Sequence, residues 1–226
     1  MTALFVLILA LIPLSSAFGN DFRLSALGGL FFFASDNGPA ADPPALLPTA
    51  GVSAAFGIAG PLRIEITADA YFTNYEYRYE DKQNSDLGYP MACIPDNRYS
   101  FVIGIVTGVQ ATAAFSLGSG VYFRVFGGPA VDLRIVTLAV GLHPDDMEEA
   151  ERQTSLITKY FWSEGRMLMP TAGFGFDFTM NERFLLGIDL RAWFPVYKLW
   201  TNDNTPAIDG WRFGAGLRLT PRNSSR

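Results

Sequence analysis

The chain runs to 226 residues, 49% of them apolar and 14% aromatic, with a formal net charge of −5 at pH 7. Lysine occurs only as Lys82, Lys159 and Lys198, there is no basic run, and the lone cysteine, Cys93, excludes an internal disulfide framework and a thiolate zinc cluster. Soluble exteriors normally carry many Lys and Glu side chains and nucleic-acid binding needs a basic patch, so this composition points away from both.

Residues 3–12 form an apolar run followed by Pro13 and the small residues Ser15, Ser16 and Ala17. The run is too short for a spanning helix, which needs about 20 apolar residues, whereas Ser15-x-Ala17 and Ala17-x-Gly19 both fit a cleavage site. The expected organisation is a signal peptide over residues 1–19, cut after Ala17 or Gly19, and one barrel domain over residues 20–226.

Beyond that point the pattern is alternation of period two, the mark of a strand with two unlike faces. In residues 21–34, Phe22, Leu24, Ala26, Leu30 and Phe32 oppose Arg23 and Ser25. In residues 49–59, Val52, Ala54, Phe56 and Ile58 oppose Gly51, Ser53 and Gly57. Residues 61–73 set Leu62, Ile64, Ile66, Ala68, Ala70 and Phe72 against Arg63, Glu65, Thr67, Asp69 and Thr73. Residues 101–117 set Phe101, Ile103, Ile105, Val109 and Phe115 against Gly108, Gln110, Thr112 and Ser116. Residues 121–136 oppose Phe123, Val125, Val131, Leu133 and Ile135 to Arg124, Asp132 and Arg134. Residues 168–180 oppose Phe174, Phe176 and Phe178 to Gly173, Gly175 and Asp177. Residues 184–196 oppose Leu186, Ile188, Leu190 and Phe194 to Gly187, Asp189 and Arg191. The last segment opposes Trp211, Phe213, Ala215, Leu217 and Leu219 to Arg212 and Arg218.

Eight strands result, each long enough to cross a bilayer at a tilt, which takes about 9–11 residues. Their links alternate. Tight turns fall at Ala59-Gly60-Pro61, Gly118-Ser119-Gly120 and Asn181-Glu182-Arg183, and long loops at residues 35–47, 80–99, 141–166 and 200–210. Short turns on one side and long loops on the other are the layout of outer-membrane barrels. The expected fold is all-β: an eight-stranded antiparallel up-and-down transmembrane barrel with short periplasmic turns, long extracellular loops and one short loop helix.

A soluble lipocalin-like barrel also has eight alternating strands. Here, however, the polar faces are rich in small residues with isolated charges, which suits a filled interior, and eight apolar faces would overfill one. The charges are therefore expected inside, because an Arg on the lipid face costs about 2–4 kcal/mol at midplane. Arg23, Arg63, Arg124, Arg134, Arg191, Arg212 and Arg218, with Glu65, Asp69, Asp132, Asp177 and Asp189, form the expected lumen charge network, read as a plug more than an ion path. Two aromatic girdles are also expected. One, near the loops, takes Tyr71, Phe72, Tyr75, Tyr99, Phe101, Trp193, Phe194, Tyr197 and Trp200; the other, near the turns, takes Phe56, Phe115, Tyr122, Phe123, Phe178, Phe184 and Trp211.

Little of this supports chemistry. The one histidine, His143, could be drawn together with Asp145 and Ser155 into a triad, but nothing in the spacing places them so, and no catalytic, metal or cofactor site is expected. Residues 144–160 read as a helix capped by Asp145 or a neighbour, with Met147, Ala150, Thr154 and Ile157 on one stripe. Its acids, Asp145, Asp146, Glu148, Glu149 and Glu151, do not match a calcium loop and read as a solvated face. Residues 80–98 read as an exposed irregular loop carrying Cys93.

The segment Asp209-Gly210-Trp211-Arg212-Phe213-Gly214-Ala215-Gly216-Leu217-Arg218-Leu219 resembles the final strand of the OmpW group, and the whole layout looks like the small OmpW, OmpX and OmpA barrels. It departs from them in ending that strand on Leu219 rather than an aromatic and in adding residues 220–226. The resemblance implies a narrow passive route for small hydrophobic molecules, entering from outside and leaving sideways into the bilayer. The rival is a non-transporting surface barrel, an adhesin or antigen whose loops bind host or matrix components. Expected partners are outer-membrane lipid, the barrel-assembly machinery and either small hydrophobic solutes or host surface components, with no nucleic acid.

Overall fold

Alternating strands whose two faces differ this sharply can bury the polar face only by closing on themselves, and the computed structural model of the chain does so. It describes residues 22–34, 46–79, 88–93, 99–201 and 210–222; the expected signal peptide lies outside them. The elements are β1 (Phe22–Ala34), β2 (Leu46–Ala59), β3 (Leu62–Tyr79), β4 (Gly88–Cys93), β5 (Ser100–Gly118), β6 (Val121–Gly128), β7 (Ala130–Leu138), α1 (Met147–Trp162), β8 (Thr171–Thr179), β9 (Phe184–Trp193) and β10 (Trp211–Pro221). Each neighbouring pair is antiparallel, in the order β3-β2-β1-β10-β9-β8-β6-β5, and the pairing of β5 with β3 closes the ring. The expected eight-stranded up-and-down barrel is what the chain adopts.

β6 and β7 are one stave. Both follow a single register on β5, from Ala111↔Gly127 to Gly108↔Ala130, with Pro129 between. Proline has no N–H to give the ladder, yet its carbonyl still accepts from Val109 N at 3.1 Å. The phase of the stave is unbroken: Arg124, Phe126, Ala130, Asp132 and Arg134 are all buried, while Val125, Leu133 and Ile135 are exposed.

The short turns form where they are expected. Gly118, Ser119 and Gly120 take φ of 93°, 50° and 77° in succession, a left-handed run that glycine adopts without strain. Asn181 makes its turn by side chain, its Oδ1 accepting from the N–H groups of Arg183 (2.8 Å) and Phe184 (2.9 Å). Phe22 and Pro221 both lie at the short-turn end, by the register of β1 with β2 and of β10 with β9.

The two faces are inverted relative to a protein in water. Inside, Glu65, Asp132, Asp189 and Arg212 are at most 2% exposed; outside, Leu62, Phe72 and Ile135 are 49%, 54% and 56% exposed. The outward positions of the barrel staves carry no charged side chain below Glu76, which stands above the last rung shared by β3 and β5, Tyr75↔Ser100. From Leu62 to Phe72, a rise of about 3.3 Å per residue at a tilt of about 40° spans about 25 Å, the height of a membrane barrel's apolar band.

The structure corrects several expectations. Residues 88–93, expected in an irregular loop, form β4, which extends the sheet above the barrel by pairing from Asn74↔Cys93 to Tyr79↔Gly88. The stave expected to begin at residue 168 begins at Thr171, and Val196 belongs to a 3-10 turn, Val196–Leu199, rather than to β9. Tyr71, Tyr75, Trp193 and Tyr197 are not girdle residues; each is at most 2% exposed and turned inward. Trp211 follows a long loop and pairs with Ala34 at the end of β1, so it sits at the loop end rather than the turn end.

Inward glycines make room for two of these rings, Tyr71 and Trp193. Tyr71 stands opposite Gly104, and a β-carbon at Gly104 would overlap the Tyr71 ring. The aromatic plane lies over the bare backbone, a device that restores packing where a sheet must curve. Gly104→Ala should displace Tyr71 and destabilise the barrel by about 1–3 kcal/mol, the usual cost of overpacking. Urea unfolding of the variant in detergent micelles, set beside the unsubstituted protein, measures it; equal midpoints would refute the packing role.

Candidate functional site

The lumen is the place where this fold gathers unusual chemistry. Period two turns one set of residues inward from every stave, and the staggered register brings those of distant staves together. Asp189, from β9, is the main acceptor. It takes the Nη2 of Arg124 and the Nη2 of Arg191 (3.1 Å), and both Nε (3.1 Å) and Nη2 (2.9 Å) of Arg218. Arg218 also donates to Glu65 and to Ser53 Oγ at 2.9 Å. Arg124 meets Asp177 Oδ2 at 2.6 Å, and Arg191 meets Asp69 Oδ2 at 3.0 Å. Thr112 Oγ1 donates to Glu65 at 3.3 Å.

A second cluster surrounds Asp132 on β7. Its Oδ2 accepts from Arg134 Nε at 2.7 Å and from Arg212 Nη2 at 2.6 Å, and the Tyr71 hydroxyl lies 3.0 Å from both carboxylate oxygens. Beside it the space is taken by Phe31, Leu47, Tyr71, Val106, Ala130, Met169 and Trp193. Phe31 meets Tyr71 and Trp193 edge-on, with centroids 5.8 and 4.7 Å apart. Of the expected network, ten members therefore fall into these two clusters. Arg23 and Arg63 are half-buried at the short-turn end.

The ties cross the barrel. β3 and β9 stand opposite each other in the ring, so the Arg191–Asp69 pair joins facing walls. A cavity of about 20 Å³ remains next to it, lined by Leu27, Phe31, Asp69, Asp189, Arg191 and Trp193 among others. That is room for about one water molecule.

Helix α1 covers the loop end. A 3-10 turn, Pro144–Asp146, leads into it; His143 Nδ1 accepts from Asp145 N at 3.4 Å, and Asp146, at the N-cap, makes no side-chain cap bond. His143 also lies 3.2 Å from Asp145 Oδ2, with both side chains largely exposed. Ser155 is exposed on the helix. Ala150 and Ile157 lie on the buried stripe as expected, but its other members are Gln153 and Phe161, not Met147 and Thr154. Ile157 and Phe161 pack on Tyr75, Tyr77 and Val102, and the Arg134 guanidinium stacks 4.2 Å from the Phe161 centroid. Gln153 Oε1 accepts from Tyr77 N at 3.0 Å, and Thr154 bonds Ser100 at 2.8 Å.

Two of these roles escaped the sequence reading. Gln153 lies off the expected stripe, yet it satisfies a strand N–H above the barrel. Arg166, 4% exposed, is held between the rings of Tyr160 and Tyr197 at 4.0 and 4.6 Å, which only the meeting of two loops could reveal. Phe161, one helical turn after Ile157, was the signal available.

Asp189→Asn should destabilise the protein by about 3–5 kcal/mol, because three buried guanidinium groups lose their shared charge. Urea unfolding in detergent measures the loss. Thr112→Val, which removes one 3.3 Å bond, should cost about 1 kcal/mol. Equal effects of the two would sink the hub role.

No protein-family model matches the chain, and no curated protein matches it. Among solved structures it is similar to the outer membrane protein OprG of Pseudomonas aeruginosa, with TM-score 0.50, 8% identity, and coverage of 90% of this chain and 97% of that one. It is also similar to Neisserial surface protein A, with TM-score 0.49, 15% identity, and coverage of 88% and 96%. A third is Ail, the attachment invasion locus protein of Yersinia pestis, with TM-score 0.44, 8% identity and the same coverage. At such identities the OprG likeness is one of fold, the eight-stranded barrel.

Proposed function

We propose that this chain is an integral barrel of the bacterial outer membrane, its long loops outward, and that it acts as a non-catalytic surface scaffold whose loops bind external components. The observation that carries the reading is the Arg191–Asp69 tie between facing walls beneath a docked helix. A lumen crossed in this way and covered by α1 is better suited to holding a loop structure rigidly than to passing solutes.

Membrane placement is supported by the inverted faces. In water, eight continuous outward bands of Leu, Ile, Val and Phe would form one large exposed apolar surface, far beyond the few hundred Å² a soluble monomer exposes. No helix among the described residues is long and apolar enough to cross a membrane. Closure of the sheet leaves no unpaired edge at membrane depth.

The narrow-channel reading, implied by the resemblance of the last strand to the OmpW group, is the rival. It requires a route past both the Arg191–Asp69 pair and α1, and the cavity beside that pair has room for about one water molecule. Lipid vesicles carrying the protein should take up small hydrophobic solutes no faster than empty vesicles. Uptake well above the empty control would favour the channel. Adhesion of cells to a matrix surface, lost when residues 147–162 are replaced by a Gly/Ser linker, would favour the scaffold.

Orientation has its own test. Cys93 ends β4, above the membrane band on the long-loop side. A membrane-impermeant maleimide is expected to label it on intact cells. Labelling only after permeabilisation would turn the barrel over or remove it from the outer membrane.

A further inference from the structure

The apolar exterior does not stop where the staves do. Leu168, three residues before β8 begins, forms an isolated bridge with Val131 and so stands beside the outward column of Val131, Leu133 and Ile135. Trp200 joins it from the other loop: a β-carbon on Gly165 would lie 3.2 Å from Trp200 Cζ2 and 3.6 Å from Leu168 Cδ1, so the two side chains flank one spot. Leu199 and Trp200 are 84% and 56% exposed. On the adjoining staves the surface runs on through Phe194, which meets Trp211 edge-on at 4.9 Å.

This ledge is built, not loose. The Trp200 indole N–H donates to Glu164 O at 2.9 Å, and Arg166 is clamped between Tyr160 at the end of α1 and Tyr197 in the 3-10 turn. An indole with its N–H already satisfied, held with its ring outward above an apolar band, is fitted to the boundary between acyl chains and headgroups.

We infer that residues 164–168 and 196–200 form a lipid-seated ledge, which extends membrane contact above the staves on the β7–β8–β9 side and anchors the end of α1 to the bilayer surface. The inference rests on the membrane placement proposed above. Its occupant is lipid because the ledge is continuous with the barrel's apolar band, through Leu168 on one side and Phe194 on the other.

The test uses the full chain in phospholipid vesicles whose acyl chains carry bromine either near the carbonyl or near the terminal methyl. In a Trp162→Phe background, adding Trp200→Phe or Trp211→Phe isolates each ring's emission by difference. Trp200 emission should be lost mainly to bromine near the carbonyl and little to aqueous iodide. Trp211, a member of the band, reports the membrane placement itself. If Trp211 is quenched by lipid and Trp200 only by iodide, the ledge stands in water and the inference fails. If Trp200 is quenched by neither, a second copy or another protein covers it, and the inference also fails. If lipid quenches neither ring, the membrane placement fails, and this inference with it. Should Trp200→Phe not fold, Leu199→Cys in a Cys93→Ser background, labelled with a polarity-sensitive dye, gives the same readout as a spectral shift on membrane insertion.

Discussion

Asp189 receives three guanidinium groups, and the rest of the barrel is arranged around what that requires. A buried carboxylate or guanidinium has given up its hydration, at a cost of several kcal/mol that only close counter-charges and hydrogen bonds offset. Arg124, Arg191 and Arg218 meet that need from β6, β9 and β10, then pass remaining donors to Asp177, Asp69 and Glu65. Since Asp69 and Glu65 lie on β3, across the ring from β9, the staves are held at fixed separation through the lumen as well as edge to edge. Removing one acid strands several cations; the network stands or falls as a unit.

The second cluster joins this constraint to the shape of the sheet. Tyr71 packs its ring over Gly104, where the strand has no side chain, and spends its hydroxyl on Asp132. One residue thus fills a gap in a curved wall and satisfies a buried charge. Asp132 in turn fixes Arg134, whose guanidinium stacks on Phe161 of α1. Arg134 thereby ties the interior charges to α1, beside the bonds that Gln153 and Thr154 make to β3 and β5. The ledge at Arg166 repeats the pattern at the same end of the helix, with a cation between two tyrosine rings.

How much of this could be read in the sequence depends on the range of the interaction. Stave number, phase and turn position are local, and alternation such as Leu62-Arg63-Ile64-Glu65 displays them directly. The same parity placed Tyr71 with Asp69 and Thr73 on the inner face, but its aromatic ring invited a membrane-interface reading; parity was the better guide, because the ring had a glycine to cover. Trp211 failed for a related reason, since depth in the bilayer follows from which end of a stave a residue occupies, and it opens β10 directly after a long loop. Pro129 divides a stave without disturbing its phase. The pairing of Asp69 with Arg191, 122 residues apart, was beyond reach. It is set by the stagger of the closed sheet, which alternation does not encode. Gln153 and β4 depend on contacts above the barrel, where no periodic environment imposes a pattern.

The interior charges also answer a question the apolar exterior raises. A strand apolar on both faces has no preferred phase, and a slip of one residue exchanges its inner and outer sets at little cost. In the proposed membrane setting the same slip would carry Arg124, Arg191 or Arg218 into lipid, at about 2–4 kcal/mol each near midplane, while leaving Asp189 buried among apolar side chains. Since the staves are hydrogen-bonded in one register, an error in any of them is charged to its neighbours too. A filled polar lumen is costly to desolvate, but it makes the wrong phase untenable at six of the eight staves. Of the eight, the staves of β2 and β5 bring no ionic side chain inward, and each is held between staves that do: β2 between β1 and β3, which bring Arg23, Arg63, Glu65 and Asp69, and β5 between β3 and the β6–β7 stave, which brings Arg124, Asp132 and Arg134. The network that closes the lumen is therefore also what tells the chain which face is the outside.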